Sequence, residues 1–573
     1  MAQVTRRILL VGALGLFAAN GFAQTANPAA SLARETSSDS TKALDAVSAL
    51  QRAVEKAPHD ASLHERLSQG YALVDQPQAA LEAIEHALAL EPDRPEFLKA
   101  RGTLATWVGD YARAQDSYRR LLTSRPAEVE VSLSLARVSA WAGKTDEAVE
   151  AYRRYLQASP DRGSIWLELA RTETWRGNYG AALDALSGYH ARFGESTEYS
   201  RELAAVLARA GQPTRAEEVL EPLLRQDADN YDLNLTRTIA LATQGRTREA
   251  FNALDAVRRL QPGGRDMQEL ERVLRTMLGS TVEPGGSFYS DSDSLQVQRF
   301  APKAAISLAS GTALAFGYER ELLRARNASG LEQTNGALDA RHDHGWFGVT
   351  QRLGTLTFQG RVGRALAEQE PLTTYALGAA VKPFDGLTLS LERSSAFFVV
   401  SPRTVGLGLR RLDHRVQLEW LPTVGTHVTL NVSHQVLSDG NRRWEAAFSP
   451  RRSVARTERL NLDLGVSAYQ FGTSSDLGNG YYDPRRYEFY SVVASPYVKI
   501  SGNSGLALTA ALGVQRDDRS PTFGFGGTVG AEATVGIHAP WVLKVSTSTT
   551  LNQRLQSGAF QGYGASVALI RRF

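Results

Sequence analysis

The stretch YGASVALIRRF, residues 563–573, decides how the second half of this chain is interpreted. Successive side chains of an extended strand point to opposite faces, so an alternating pattern marks a half-buried strand. Every second position here is apolar except Arg571, the apolar positions being Tyr563, Ala565, Val567, Leu569 and Phe573. We therefore predict a strand whose apolar face is interrupted once, at Arg571.

Alternating segments fill the chain from about residue 283 onward. Polar residues and glycine stand between the apolar positions, and turn residues such as Asp385 and Gly386 separate the segments. The apolar sets include Leu356, Phe358 and Val362; Tyr375, Leu377, Ala379 and Val381; Val416, Leu418 and Trp420; and Leu460, Leu462, Leu464, Val466 and Ala468. At the usual strand and turn lengths this region holds about sixteen strands, which predicts an antiparallel transmembrane β-barrel over 283–573. A soluble β-sandwich is the alternative.

The N-terminus carries a secretory pattern. Arg6 and Arg7 precede an apolar run at 8–19, and the small residues Gly21 and Ala23 stand where a signal peptidase cleaves. We predict a signal peptide over 1–23 and, from its Ala-, Ser- and Thr-rich composition, a flexible leader over 24–42. No later stretch reaches the ~20 apolar residues of a spanning helix.

Composition excludes several functional classes. A chain of 573 residues is expected to form at least two domains. With 64 basic and 61 acidic residues it has no global field that favours nucleic acid, so no nucleic-acid partner is predicted. The absence of cysteine excludes disulfides, thiolate metal sites and a cysteine nucleophile.

A repeat occupies the region between the leader and the strands. Alanine recurs every 34 residues, which is the tetratricopeptide period, at Ala46, Ala80, Ala114, Ala148, Ala182, Ala216 and Ala250. A glycine stands five residues before the alanine in five units, beginning with Gly109, and a proline often stands twelve after it, as at Pro126. These columns predict two helices per unit, with glycine at the tight turn and proline after the second helix. We predict an all-α solenoid over 43–280, closed by a helix at 265–278.

The order of these parts resembles a known family. A strand that ends the chain on an aromatic residue resembles the signal that directs outer-membrane barrels to their assembly machinery. Signal peptide, tetratricopeptide solenoid and barrel together resemble the outer-membrane exporters of biofilm exopolysaccharides, those of poly-N-acetylglucosamine and cellulose. Three segments carry the likeness further: the W-x-G cores beginning at Trp107, Trp141 and Trp175, the SDSDS run at 290–294, and GNGYYDPRRY at 478–487.

The resemblance implies a porin-like conduit in the outer membrane of a Gram-negative bacterium, with the solenoid in the periplasm. The implied partners are outer-membrane lipid, the exopolysaccharide, a periplasmic modifying enzyme or an inner-membrane synthase complex, and the barrel assembly machinery. Two alternatives stay open: a surface-lipoprotein assembly factor, which also joins such repeats to a barrel, and a scaffold that the barrel only anchors.

Candidate binding residues on the solenoid are Trp107, Trp141, Trp175, Arg137 and Arg171. Arg137 and Arg171 stand four residues before a tryptophan, so each pair shares one face of a helix. These faces form either a ladder for stacking sugar rings or the packing surface between helices.

Candidate lumen-lining residues are those that alternate with the apolar sets, namely Arg361, Glu392, Arg410, Arg415, Glu419 and Lys544. They line a path for an ionic polymer or only satisfy one another inside the barrel. Tyr481 and Tyr482 are predicted to form either a sugar-stacking loop or an ordered aromatic loop.

Catalytic chemistry finds little support in the sequence. The densest cluster of acid, base or metal-ligating groups is DARHDH at 339–344, which is interpreted as part of an extracellular loop. No nucleotide-binding loop, nucleophile elbow or zinc signature occurs. We predict no enzymatic activity, no catalytic residues, no cofactor and no metal.

Overall fold

A computed structural model describes residues 39–263, 265–308, 311–368, 370–554 and 558–573. The predicted signal peptide and residues 24–38 of the predicted leader lie outside these ranges. Residues 39–42, the end of that leader, belong to the first helix. None of the helices in the described ranges is long and apolar enough to cross a bilayer.

Fourteen helices precede the first strand in the described chain. They are α1 Asp39–Lys56, α2 Ala61–Leu73, α3 Pro77–Leu90, α4 Pro95–Val108, α5 Tyr111–Ser124, α6 Val129–Trp141, α7 Thr145–Ala158, α8 Gly163–Arg176, α9 Tyr179–Phe193, α10 Thr197–Arg209, α11 Pro213–Gln226, α12 Tyr231–Gln244, α13 Thr247–Leu260 and α14 Arg265–Leu278.

The recurring glycines and alanines of the repeat lie where the structure needs a left-handed turn or a small side chain. The glycine column lies in the left-handed backbone region, as at Gly109 with φ 80°, where a side chain would be strained. The alanine column from Ala80 to Ala250 is fully buried where helices approach closely. Ala46 is the exception and is exposed, because no helix precedes α1 in the described chain to cover that face.

The described chain divides into two compact units at Glu202 and Leu203, within α10. The N-terminal unit holds α1–α9 and the start of α10. The second unit holds the rest of α10, the helices α11–α14 and all strands.

Within the described ranges sixteen strands follow, each antiparallel to its neighbours. They are β1 Thr281–Glu283 with Gly285–Asp291, β2 Gln296–Phe300 with Lys303–Ser307, β3 Thr312–Arg324, β4 Asp339–Leu353, β5 Leu356–Leu366, β6 Leu372–Val381, β7 Leu387–Phe397, β8 Arg410–Trp420, β9 Thr426–Leu437, β10 Arg442–Arg456, β11 Leu460–Thr473, β12 Tyr487–Ser501, β13 Ser504–Asp517, β14 Gly524–Val535, β15 Trp541–Arg554 and β16 Gly558–Arg572. The interruptions of β1 and β2 lie at Pro284 and Pro302, which lack the backbone N–H that a ladder needs.

The sheet closes on itself. Each strand pairs with the next along the chain, and β16 returns to β1, where Tyr563 lies opposite Ser290 and Arg572 opposite Thr281. The predicted barrel of about sixteen strands is therefore confirmed, and closure excludes the open-edged β-sandwich.

The two faces of the barrel wall differ in chemistry. Large apolar side chains such as Phe358, Leu377, Val492 and Val567 are exposed on the outer face, as a lipid-facing surface requires. Positions of the opposite parity face the lumen and are rich in charged and hydroxyl side chains.

We name the two ends of the barrel by their connections. The terminal rim is the end at which Thr281 and Arg572 lie, and its connections are as short as residues 354–355 and 502–503. The loop rim is the opposite end and carries the long connections 325–338, 398–409 and 474–486. The connection 398–409 contains a short helix, α15 Pro402–Gly406, which begins with a capping box between Ser401 and Thr404.

Candidate functional site

A cavity inside the barrel wall, near the loop rim, has a volume of about 600 Å³. Strands from around the circumference contribute to it, from Tyr289 on β1 through Arg443 on β10 to Phe560 on β16. Such a volume holds a small oligosaccharide segment. A cavity enclosed by the strands places any ligand in the path through the barrel.

Four aromatic rings form one wall of this cavity, and we call Tyr469, Phe471, Tyr482 and Tyr487 the aromatic cluster. Phe471 is central: its ring centroid lies 5.0 Å from that of Tyr487, 5.8 Å from that of Tyr482 and 5.8 Å from that of Tyr469. The guanidinium of Arg443 lies over the same ring, 4.2 Å from its centroid. The cluster thus offers tilted ring faces together with a cation.

Hydrogen bonds fix the orientation of these rings. Tyr487 donates to the amide oxygen of Gln515 at 2.7 Å, and Tyr482 donates to the carboxylate of Asp517. Arg443 also pairs with Glu445 at 2.7 Å. Polar groups beside aromatic faces suit a sugar ligand. The C–H face of a sugar ring stacks on an aromatic ring, and the sugar hydroxyl groups form hydrogen bonds with the hydroxyl, carboxylate and guanidinium groups.

The cavity is covered at the loop rim by two connections that pack on each other. Phe398 and Leu409 form a buried cluster with Leu437 and Tyr481. The hydroxyl of Tyr481 donates to Asp439 at 2.8 Å and accepts from Asn441 at 3.0 Å. Burial raises the pKa of this tyrosine far above its ordinary value, so the hydroxyl stays protonated. Tyr481 therefore anchors the loop, and both Tyr481 and Tyr482 line the cavity.

Five of the six predicted lumen-lining residues lie on the luminal face. Arg361 lies with its guanidinium 5.3 Å from the ring of Trp346, Arg415 pairs with Asp413 at 2.9 Å, and Lys544 pairs with Glu532 at 3.3 Å. Glu392 lies opposite Arg415 in the strand register, and Glu419 accepts from Gln417 at 2.9 Å.

The prediction that Arg410 lines the lumen is wrong. It has the parity of Val416 and Trp420, whose side chains are 42% and 43% exposed on the outer face. Residues six and ten positions apart on a strand share a face, so Arg410 belongs to the outer face and not to the lumen.

The charged groups of the lumen are largely paired with each other. Further pairs join Arg299 to Glu319, Lys303 to Glu283 and Arg456 to Asp463. Because opposite charges alternate around the wall, the lumen presents polar groups without a dominant sign.

The interpretation of the DARHDH segment at 339–344 as part of a loop is also wrong, because the segment lies within strand β4. His342 contacts Glu321 at 3.0 Å inside the lumen, and Asp343 faces outward and pairs with Arg320 at 2.8 Å. Alternation therefore separates its side chains onto two faces. Among the described residues, no group of three or more His, Asp or Glu side chains could hold a metal ion.

On the solenoid, the predicted arginines pair with the next repeat. Arg137 on α6 forms two hydrogen bonds with Glu168 on α8, at 2.9 and 2.8 Å, and Arg171 pairs with Glu202. Trp107 and Trp141 are partly buried against the core, and Trp141 also contacts the ring of Tyr111. Trp175 is half-buried. Sugar stacking by these three tryptophans stays a prediction.

The sequence interpretation missed the other members of the aromatic cluster. Tyr469 and Phe471 stand at odd positions of β11, whereas its outward apolar set from Leu460 to Ala468 is even. Their aromatic side chains stand at positions that face the lumen, and this pattern could have identified them from the sequence. Arg443 likewise has the luminal parity of β10, opposite to Trp444 and Phe448. Phe398 had no such signal, because it lies in a connection.

Comparison with known proteins supports the repeats directly. A tetratricopeptide-repeat family profile matches residues 108–163 and 142–196. No sequence among the curated proteins matches the chain.

Among solved structures, one described as a bacterial polysaccharide outer membrane secretin matches 52% of this chain and 99% of its own, at 11% identity and a TM-score of 0.45. A tetratricopeptide repeat protein from Parabacteroides merdae matches 41% of this chain and 93% of its own, at 18% identity and a TM-score of 0.36. The type IV pilus biogenesis factor PilW matches 37% of this chain and 97% of its own, at 21% identity and a TM-score of 0.29. These scores lie below 0.5, so the description of the fold depends on its own strand pairing and helix repeats. The described chain therefore combines tetratricopeptide repeats with a closed antiparallel β-barrel.

Proposed function

We propose that this protein is a passive outer-membrane conduit that exports a biofilm exopolysaccharide. The observation that carries the proposal is the cavity of about 600 Å³ inside a closed barrel, lined by the aromatic cluster and by hydrogen-bonding groups. Aromatic faces and paired charges allow a hydroxylated polymer to move through the barrel. Each contact with the wall is weak, and a contact of similar strength lies next to it.

In this proposal the terminal rim faces the periplasm and the loop rim faces the exterior. The even strand number places both barrel ends of the chain at one rim, on the side of the preceding helices. The solenoid recruits the polymer or a periplasmic partner, since arrays of helix pairs offer extended binding surfaces. The driving force for export comes from the synthase in the inner membrane.

The decisive experiment measures polysaccharide on both sides of the outer membrane. Deletion of the gene is expected to leave polymer in the periplasm and to remove it from the surface, and the purified protein is expected to conduct in planar bilayers. Unchanged surface polysaccharide with loss of a surface lipoprotein would instead assign the protein to lipoprotein assembly.

A paired variant tests the aromatic cluster. Phe471→Leu with Tyr487→Leu removes two ring faces and is expected to reduce export about tenfold, since stacking contributes about 0.7 kcal/mol per ring, within the range for aromatic contacts. Phe448→Leu is the matched control, because Phe448 is exposed on the outer face. Equal export by both variants would contradict a role for the cluster.

A further inference from the structure

The outer face of the barrel carries a group of basic side chains on neighbouring strands near the loop rim. Six arginines have the parity of the lipid-facing residues on β3–β8 and lie within five residues of the loop rim. We call this set the basic strip: Arg320, Arg324, Arg341, Arg364, Arg393 and Arg410.

Strand register places these residues side by side. Arg341 lies opposite Leu322 on β3, Arg364 lies opposite Thr373 on β6, and Arg393 lies opposite Leu377 on β6. Leu322 and Leu377 are exposed on the outer face, at 45% and 59%. Neighbouring strands are about 4.8 Å apart, so the strip extends over roughly 25 Å of the circumference.

Acidic groups balance only part of this charge. Asp343 pairs with Arg320 at 2.8 Å and with Arg341 at 2.5 Å, and Asp339 lies 3.5 Å from Arg324. Arg364 donates to the hydroxyl of Thr373 at 3.0 Å, which is a neutral partner. Six guanidinium groups against two carboxylates leave the strip positive.

On three other strands the outer face near the loop rim is apolar and not basic. Outward positions toward the loop rim on β14, β16 and β1 hold the apolar and aromatic residues Phe525, Tyr563 and Phe288. Outside the strip, Arg442 on β10 and Arg516 on β13 also have outward parity near the loop rim, and Arg516 pairs with Glu488 at 2.5 Å. The strip is thus the part of this rim where outward arginines follow one another on neighbouring strands.

A cation on the lipid-facing surface is unfavourable toward the middle of a bilayer, by about 2 to 4 kcal/mol for arginine, and becomes tolerable near a polar headgroup layer. Arginine binds phosphate through two parallel hydrogen bonds. A positive patch of this width, at this height, fits a headgroup that carries more than one phosphate.

We propose that the basic strip binds the phosphorylated glycolipid headgroup of the outer leaflet. The inference depends on the orientation given with the proposed function, in which the loop rim faces outward, but it does not depend on what the lumen transports. Several phosphates on one sugar headgroup then span the arginines of neighbouring strands.

The test compares matched arginine variants of the full-length protein in detergent. Binding of lipopolysaccharide is measured by native mass spectrometry, and folding is checked by the heat-dependent shift in gel mobility. Arg364→Gln with Arg393→Gln is expected to weaken binding roughly tenfold or more, since each arginine near a charged lipid surface contributes about 1 kcal/mol. Arg452→Gln is the control, because Arg452 is an exposed outward arginine that lies opposite Leu464, toward the terminal rim, and binding is expected to stay unchanged.

Three outcomes would overturn the inference. They are equal binding by the double variant and the wild type, an equal loss in Arg452→Gln, and complete displacement of the glycolipid by millimolar inorganic phosphate, which would indicate a site for free anions. Dephosphorylated glycolipid is expected to bind the wild type no better than it binds the double variant. Conductance in planar bilayers and export in cells are measured for the same variants, so that failure of lipid binding is separated from failure of the conduit.

Discussion

The carboxylate of Asp385 accepts hydrogen bonds from the backbone nitrogen of Thr214 at 2.7 Å and from its side-chain hydroxyl at 3.1 Å. Asp385 lies in the turn between β6 and β7, and Thr214 lies in the first turn of α11. The same carboxylate accepts from the backbone nitrogen of Arg215 at 3.3 Å. A turn of the terminal rim thus supplies the N-terminal cap of a helix, because a negative group satisfies the free N–H groups there and interacts favourably with the helix dipole.

Asp385→Ala removes this cap. We expect the first turn of α11 to lose about 1 kcal/mol of local stability, so its amides exchange with solvent roughly five times faster. Hydrogen exchange followed by mass spectrometry over 213–226 measures this change. Asp385→Asn keeps an acceptor oxygen and is expected to give a smaller effect; identical exchange in Asp385→Ala and wild type would show that the cap contributes nothing.

His538 predicts a dependence on pH at the same rim. It lies in the turn between β14 and β15, and burial, with the positive charges of Arg272 and Arg572, lowers its pKa to about 4. The folded chain therefore holds this proton less tightly than the unfolded chain does. The stabilisation is complete above the ordinary histidine pKa of about 6.5 and is lost as the pH falls toward 4.

We expect α14, which carries Arg272, to loosen as the pH falls from about 6.5 toward 4, because protonated His538 repels that arginine. Limited proteolysis of 265–278 at two pH values measures the change, with an acid-tolerant protease. His538→Asn should weaken this dependence. An equally steep response in the variant would assign the pH effect to other groups.

Gly480 controls how the loop-rim connections pack. It has φ 83°, and a β-carbon placed there would lie 2.6 Å from Cβ of Arg403 and 2.7 Å from the hydroxyl oxygen of Ser401. Gly480→Ala should therefore separate the connection 474–486 from α15. Since these connections cover the cavity, we expect a larger single-channel conductance in planar bilayers.

Gly478→Ala is the matched control for that experiment. Gly478 also has a positive φ, of 62°, but nothing lies within 4 Å of an added β-carbon. It carries the backbone strain without the steric clash. If both variants conduct alike, the contact with Arg403 and Ser401 does not restrict the exit.

Trp141 distinguishes packing from sugar binding on the solenoid. Its contact with Tyr111 and the adjacent core leads us to expect that Trp141→Leu lowers the free energy of unfolding by about 1 to 2 kcal/mol. Denaturation followed by circular dichroism measures this. Replacing Trp107, Trp141 and Trp175 together by leucine then tests glycan binding; unchanged binding by a folded solenoid leaves only the packing role.

Regular features were predictable from the sequence because one physical requirement recurs at a fixed spacing. The left-handed turn at Gly109 and its equivalents selects glycine, and the close approach at Ala114 selects a small residue, so both columns keep the repeat length. Strand alternation likewise indicated a barrel, the length of the region predicted about sixteen strands, and the fold class is confirmed.

Features that depend on distant pairing could not be predicted in this way. Thr214 and Asp385 are 171 positions apart, and neither stands out in its own segment. The cavity wall brings together Phe398, Phe471 and Tyr482 only after two connections meet β11. Arg410 was misassigned because its segment was judged by composition, when its distance from Val416 would have placed it outside.

Closure of β16 on β1 also has a consequence for biogenesis. The first strand finds its final partner only after the last has been made, so any nascent fragment retains two unsatisfied edges whose N–H and C=O groups can recruit other chains. Each intermediate is thus prone to aggregation until the seam between Ser290 and Tyr563 forms. Assembly of the cylinder is therefore a late and concerted event, and substitutions along this seam will reduce the yield of mature protein more than its eventual stability.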